Sequence, residues 1–335
     1  MAYTTINKST EHFDTKLYTG TGSAMNITGV GFKPDLTWVK PRSATDNHIL
    51  YDSVRGVTKI LRPNLNLVEG TVSTMVTAFN SDGVSLGTNG NVTANGVTFA
   101  AWNWKGGGAS SANTDGATSS TVSVNTTSGF SIVKWSGYNT TVGHGLGVAP
   151  DMILVKNLDD TQNWHVYNKQ LGINKYAILN TNGGSTTSTS VWSNTLPTST
   201  VFSIGGSPFN NANYIAYCFS NTTGFSKHGT YIGSASASTG FVYTGFKPKF
   251  LMTVNTQSDS NWMMWDDARN TFNPVDKWLH ANGTDQEYTQ TNSVNFLSNG
   301  FSFGVTGHPN EAQQYTYMCF GQSMVGTNGV TAKAR

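Results

Sequence analysis

Charge is what this 335-residue chain has least of. Asp, Glu, Lys and Arg together make up 11% of it, where about 25% is usual for soluble domains. The 20 basic and 18 acidic residues leave a net charge of +2. That supplies no basic excess for nucleic acid, so no nucleic-acid partner is expected. Helix formers such as Ala, Leu, Glu and Lys are scarce, which argues against a helical bundle. The only two cysteines, Cys218 and Cys319, build no disulfide framework. No apolar run approaches the roughly 18 residues of a transmembrane helix, so no membrane insertion is expected. The opening stretch Met1–Lys8 lacks the apolar centre of a secretory signal, which predicts synthesis in a reducing cytoplasm.

What the chain does have is 46 Thr, 34 Asn, 33 Ser and 36 Gly, with 17 Phe, 13 Tyr and 9 Trp. Small polar turn formers beside abundant aromatic and β-branched residues argue against charge-rich disorder. They predict an all-β protein with many turns and a neutral hydrogen-bonding surface.

One segment occurs three times. Gly31-Phe32-Lys33-Pro34-Asp35-Leu36-Thr37-Trp38-Val39-Lys40 is matched by Gly147-Val148-Ala149-Pro150-Asp151-Met152-Ile153-Leu154-Val155-Lys156. The third copy is Gly245-Phe246-Lys247-Pro248-Lys249-Phe250-Leu251-Met252-Thr253-Val254. Other landmarks keep the same order. An aromatic and a Gly two residues on precede the segment, at Tyr18, Trp135 and Tyr231. His48, Trp164 and Trp262 follow it, each three residues before Tyr51, Tyr167 or Trp265. Then comes a Lys five residues before an Asn: Lys59 and Asn64, Lys175 and Asn180, Lys277 and Asn282. Each copy closes on an aromatic strand, Phe99–Trp104, Tyr214–Phe219 or Tyr315–Phe320. Cys218 and Cys319 share one position of that strand, where the first copy has Asn103, so a common core position is expected rather than a disulfide.

The expected organisation is an arm over residues 1–12, modules over 13–105, 129–222 and 223–325, and a tail over 326–335. Residues 106–128, opening with Gly106-Gly107-Gly108, read as a flexible or extended Gly/Ser/Thr-rich linker. The shorter second junction predicts tighter coupling of modules two and three. Within a module, Phe130–Trp135 alternates like a half-buried strand, whereas Leu36–Val39 and Met152–Val155 read as strands buried on both faces. No amphipathic helix of ordinary length is evident. The fold class is therefore all-β: three tandem homologous small antiparallel β-sandwiches of jelly-roll or lectin-like type.

Few residues point to chemistry. None of the seven histidines stands in a metal-ligand spacing, and neither a nucleophile elbow nor a phosphate-binding loop is present. No catalytic, cofactor-binding or metal-binding residue is assigned. The adjacent acids Asp159-Asp160 and Asp266-Asp267 would point to opposite faces of a strand and make no glycosidase dyad by themselves. Arg55 and Arg269 lie three residues beyond Asp52 and Asp266, while the second copy has Asn168 and Leu171. Asp and Arg are thus present or absent together, which predicts a structural ion pair. Trp164, His165 and Tyr167, or Trp262 and Trp265, could form a platform for sugar rings, with nearby Asn and Asp as hydrogen-bond partners. The candidate ligand set is Trp164, His165, Asp160, Trp262 and Asp267. Recurrence of the aromatics at matched positions argues instead for core packing.

The opening Ala2-Tyr3-Thr4-Thr5-Ile6-Asn7-Lys8-Ser9 and Lys16-Leu17-Tyr18-Thr19-Gly20 resemble a group of tailed-bacteriophage virion proteins common in marine phages. So do Leu50–Lys59, Phe79-Asn80-Ser81-Asp82-Gly83 and Trp102-Asn103-Trp104-Lys105. Those proteins carry one or more β-rich modules of roughly 100 residues and are usually labelled tail fibre or structural protein. Asn103 departs from the Cys usual in that closing strand. The resemblance implies a virion location and carries over no catalytic residue. The resulting expectation is a non-enzymatic virion structural protein, part of a tail fibre or a capsid or tail decoration. Stacked modules would build length, the arm would anchor them, and a homotrimer bound to other virion proteins is favoured. A host-glycan-binding adhesin is the alternative, and a polysaccharide depolymerase the third.

Overall fold

A computed structural model describes residues 4–323 and 325. It is 45% strand and 2% helix, with antiparallel sheets throughout, so the chain is an all-β sandwich protein. The first unit comprises β1 (Phe13–Thr19), β2 (Met25–Ile27), β3 (Leu36–Pro41), β4 (Ile49–Asp52), β5 (Lys59–Ile60), β6 (Gly70–Thr71), β7 (Val76–Asn80), β8 (Gly83–Leu86) and β9 (Thr98–Trp104). Of two short helical turns, Ser9–Glu11 and Gly90–Thr93, the second is capped by Asn89, whose Oδ1 accepts the Asn91 N–H.

The second unit comprises β10 (Ser111–Asn113), β11 (Ser120–Asn125), β12 (Phe130–Ser136), β13 (Thr140–Gly143), β14 (Met152–Asn157), β15 (His165–Asn168), β16 (Lys175–Ile178), β17 (Thr186–Thr187), β18 (Val201–Ile204) and β19 (Asn213–Phe219). The third comprises β20 (Ser226–Ile232), β21 (Phe241–Tyr243), β22 (Phe246–Asn255), β23 (Met263–Asp266), β24 (Val275–His280), β25 (Tyr288–Leu297), β26 (Gly300–Phe303) and β27 (Gln314–Ser323).

One sheet order recurs in all three units: β1-β9-β3-β4, β12-β19-β14-β15 and β20-β27-β22-β23. A second layer faces it, formed by β2-β8-β7, by β13-β18, and by β25-β26-β21. Each unit keeps a private core between its layers. In the first it includes Ile27, Val39, Ile49, Val84 and Phe99. The opposite face of the recurring sheet is also apolar, and it enters one core common to all three units. Phe13, Trp38, Trp102 and Trp104 meet Phe130, Leu154 and Phe219 there, together with Phe250, Met252 and Phe320. Every residue of β3 and β14 is therefore buried, as their continuous apolar runs predicted.

The three units close into a ring, because one set of contacts repeats cyclically. The Trp164 indole N–H donates to the Arg62 carbonyl (3.1 Å) and that of Trp262 to the Ile178 carbonyl (2.9 Å). His48 Nε2 meets the His280 carbonyl at 2.8 Å. Its Nδ1 accepts the Trp38 indole N–H, so Nε2 carries the proton. Beside each pin runs a backbone bond, Glu69 N–H to Leu158 O, Ser185 N–H to Thr256 O, and Glu287 N–H to Arg42 O. Unit two thus grips unit one, three grips two, and one grips three. The recurrent Asn of the sequence holds each pin in place. Asn64, Asn180 and Asn282 accept the backbone N–H of His48, Trp164 and Trp262 through Oδ1.

The Asp–Arg pairs lie inside this ring. Arg55 Nε donates to Asp52 Oδ2 at 2.5 Å, and Arg269 Nε to Asp266 Oδ2 at 2.6 Å, with all four side chains buried. Each carboxylate takes a further donor from the adjacent unit, Tyr217 OH to Asp52 (2.7 Å) and Trp102 Nε1 to Asp266 (3.0 Å). The equivalent residue of the third unit is Met318, which has no strong donor. The position that would face it holds Asn168 instead of Asp, and Asn168 Nδ2 donates to the Gly229 carbonyl. A buried carboxylate needs its full set of donors, so Asp and Arg disappear where the neighbour cannot supply one.

Several expectations are corrected. Residues 106–128 are not a free linker: β10 and β11 extend the second unit's sheet next to β12, with Val122 buried in its core. Gly and Ser there permit close approach; the Gly107 N–H, for example, donates to Ser123 Oγ. The same kind of pin joins all three pairs of units. The units do not stack into a length, since an apolar face on each inner sheet draws them around a centre. The arm is not free either. Ile6 enters the common core, and Gln322 Oε1 accepts the Ser9 N–H while its Nε2 donates to Asn7 O. The expected tail, 326–335, lies outside the described residues. Cys218 and Cys319 are free and buried at matching positions, and at the third such position Asn103 pairs with Thr37.

Two outcomes follow from this packing. Asp52→Ala strands the Arg55 guanidinium and is expected to cost about 3–5 kcal/mol. The double change Asp52→Asn with Arg55→Leu, which copies the second unit, is expected to cost less than half as much. Denaturant unfolding of the full chain measures both. Separately, His228 lies between Phe219 and Phe320, and among the described residues neither ring nitrogen has a partner. Burial lowers its pKa to about 3. The unfolded chain takes up that proton near pH 6.5, so between pH 6.5 and 3 it binds more protons than the folded chain. Stability is therefore lost as pH falls through this window, by up to about 1.4 kcal/mol per pH unit from this residue. His228→Leu is expected to flatten the Tm-against-pH profile between pH 4 and 6.

Candidate functional site

The sequence candidates divide once the ring is in view. Trp164 and Trp262 are fully buried, each packed in the common core and bonded to the next unit. They present no face to a sugar and are corrected from ligand platform to interface pins. Asp160 is exposed, and its Oδ2 accepts the Asn210 amide at 2.8 Å. Asp267 lies 3.6 Å from the Lys249 ammonium. The two acids sit in different units, each with a partner in its own unit.

His165 has another setting. Strand alternation turns it away from the side on which Trp164 packs. Its ring lies 5.2 Å from those of Tyr176 and Phe209. Burial depresses its pKa to about 4, so it is neutral at physiological pH. It lines an open cavity of about 410 Å³ with Gln162, Asn163, Tyr176 and Thr186, completed by Asn66 of the first unit. Among the described residues the buried Gln162 Oε1 has no hydrogen-bond partner. Among the described residues no cluster of three or more His, Cys, Asp or Glu could hold a metal ion, and no helix is long and apolar enough to cross a membrane.

A second concavity, about 320 Å³, opens where the second unit meets the third. It is lined by Gln170 from the former and by Lys227, Thr230, Ile232, Phe241 and Tyr243 from the latter. Strands β20 and β21 carry the last five residues, and Gly300 lets β26 pass closely beneath β21, where a Cβ would collide with the Val242 carbonyl. Gln170 Oε1 accepts both the backbone N–H and the hydroxyl of Thr230. The Lys227 ammonium donates to the Tyr243 carbonyl at 2.6 Å and lies 5.2 Å over the Tyr243 ring. Phe241 and Tyr243 remain 48% and 52% exposed. Residue spacing did not single out this groove. The available signal was a difference between copies rather than a likeness.

The matches to known proteins concern the ring as a whole. The chain belongs to the family described as Domain of unknown function (DUF7483). That family's model matches residues 8–323, so one model spans all three units and the last residues of the arm. No curated protein and no solved structure matches the chain.

The assignment of Trp164 as a pin is tested by stability. Trp164→Phe keeps the ring contact and loses the bond to Arg62, at an expected cost of about 1 kcal/mol. Trp164→Ala empties a core site and is expected to cost about 3–5 kcal/mol. Denaturant unfolding of the full chain distinguishes these from the small effect expected of an exposed ligand platform.

Proposed function

We propose that this protein is a non-enzymatic structural component of a tailed-phage particle, exposed on a tail fibre or as a capsid or tail decoration. The observation that carries this reading is ring closure: one chain builds a body with approximate threefold form from three like units. Such a body suits attachment on or near a threefold axis, where each unit can meet an equivalent surface of another virion protein. The sequence resemblance to virion proteins points the same way. So does the low charge, since a surface of Thr, Ser and Asn holds its hydrogen bonds to water over a wide range of salt. A homotrimer would form through the outer surfaces of the rings, because the common core is already complete within one chain.

A second reading, binding of host-surface glycan, is favoured by the groove at Phe241 and Tyr243. Exposed aromatic faces beside amide and ammonium donors are the groups a sugar ring requires. The depolymerase reading has no such support from Asp160 or Asp267, each of which is engaged locally.

Mass spectrometry of purified particles, with antibody-gold labelling in electron microscopy, tests the first reading. The expected result is the intact chain in washed particles and label on the particle surface. Its presence only in the soluble fraction of lysed host cells would overturn the proposal.

A further inference from the structure

The approximate threefold repeat provides an internal control for every surface position, and it isolates one site. Val242 pairs with Phe301 as Ile27 pairs with Val84 and Val142 with Phe202. This register aligns Phe241 with Asn26 and Thr141, and Tyr243 with Thr28 and Gly143. On the preceding strand, β20, Tyr231 aligns with Tyr18 and Trp135, which aligns Ile232 with Thr19 and Ser136. Inward positions are apolar in all three units, as the core demands. At the three outward positions two units carry polar residues or Gly, and only the third carries Ile, Phe and Tyr. The other two units form the equivalent strands without such side chains. Ile232 is 75% exposed, and leaving such groups in water forgoes their burial energy.

Charge narrows the class of ligand. Lys227 occupies the position of Asp14 and Ser131 and is half-buried at the groove wall. Among the described residues no carboxylate lies within ion-pair distance of it. One of its three protons goes to the Tyr243 carbonyl, which leaves two to donate. The Gln170 carbonyl oxygen is taken up by Thr230, so the remaining capacity of that amide at the groove is its N–H groups. The concavity has room for one or two sugar rings. A protein partner would need about 800 Å² of surface on each side, more than three exposed apolar side chains provide.

We propose that this groove binds an acidic saccharide, with a pyranose ring against Tyr243 and Phe241 and its carboxylate on the Lys227 ammonium. The proposal rests on the glycan-binding reading and names the ligand class and the residues. Aromatic rings take up the C–H face of a sugar, and the ammonium supplies a charge-assisted hydrogen bond that selects for a carboxylate.

The test is titration calorimetry of the full chain with tetragalacturonate, tetramannuronate and sialyllactose, with maltotetraose as the neutral probe. At least one acidic probe is expected to bind about tenfold or more tightly than maltotetraose. Tyr243→Ala is expected to weaken that binding about tenfold or more. Lys227→Gln is expected to remove the preference over the neutral probe. Both changes are at partly exposed positions, and an unchanged Tm shows that each variant is folded. Failure of every acidic probe at millimolar concentration, or binding indifferent to Tyr243→Ala, overturns the proposal. Host-cell binding by the same proteins separates the two levels. If wild type and Tyr243→Ala bind cells equally, the glycan-binding reading survives and this groove is wrong. If neither binds, both fail.

Discussion

The structure depends on a sheet that is apolar on both faces. A β-sandwich buries one face of each sheet and leaves the other to water. Here the recurring four-stranded sheet presents Trp38, Trp102 and Trp104 outward in the first unit, and Leu154 and Phe219, or Phe250 and Phe320, in the others. No unit alone can cover such a face. Three units cover one another, and the ring is the smallest closed arrangement in which each outer face meets two others. The burial is non-directional, so the hydrogen bonds of Trp164, Trp262 and His48 to the next unit supply the register.

The same constraint explains how the copies diverged. Around the common core, changes are correlated across units. Asp52 has its Tyr217, Asp266 its Trp102, and Asn168 faces the unit whose equivalent residue is Met318. Lys40 and Lys156 reach carbonyls of the neighbouring unit at Thr284 and Asn66. Val254 stands in the matching place of the third unit, and there the backbone of Ser260 donates to Asn182 instead. Outward-facing positions carry no such coupling, so each unit's outer surface could change alone. The third unit uses that freedom at Ile232, Phe241 and Tyr243. Three copies of a scaffold thus supply one shared interior and three independent exteriors.

Much of the fold was legible in the sequence. Landmarks such as the Pro before β3 and the Asn that follows Lys59, Lys175 or Lys277 located the copies, and alternation gave strands on both sides of them. The continuous runs Leu36–Val39 and Met152–Val155 revealed burial on both faces, although not what covered the second one. The segment 106–128 misled because its residues are individually those of a linker. Only pairing of its backbone with β12 makes it sheet. The candidate site was less legible. Trp164 and Trp262 have the composition of a sugar platform and the burial of a core, and spacing cannot tell a ring exposed to solvent from one facing another unit.

By itself, then, the sequence determined the all-β class, the threefold repetition, the matched core position of the cysteines and the pairing of Asp with Arg. These are properties of periodicity and of residue type, and they act within a few residues or between aligned copies. Tertiary structure alone decided that the copies form a ring rather than a string, that Trp164 and Trp262 are pins, and that Gln170 of one unit meets Lys227 and Tyr243 of another at a groove. Each of these is a contact between residues distant in sequence, set by which apolar faces find each other, and a linear pattern does not encode which face meets which.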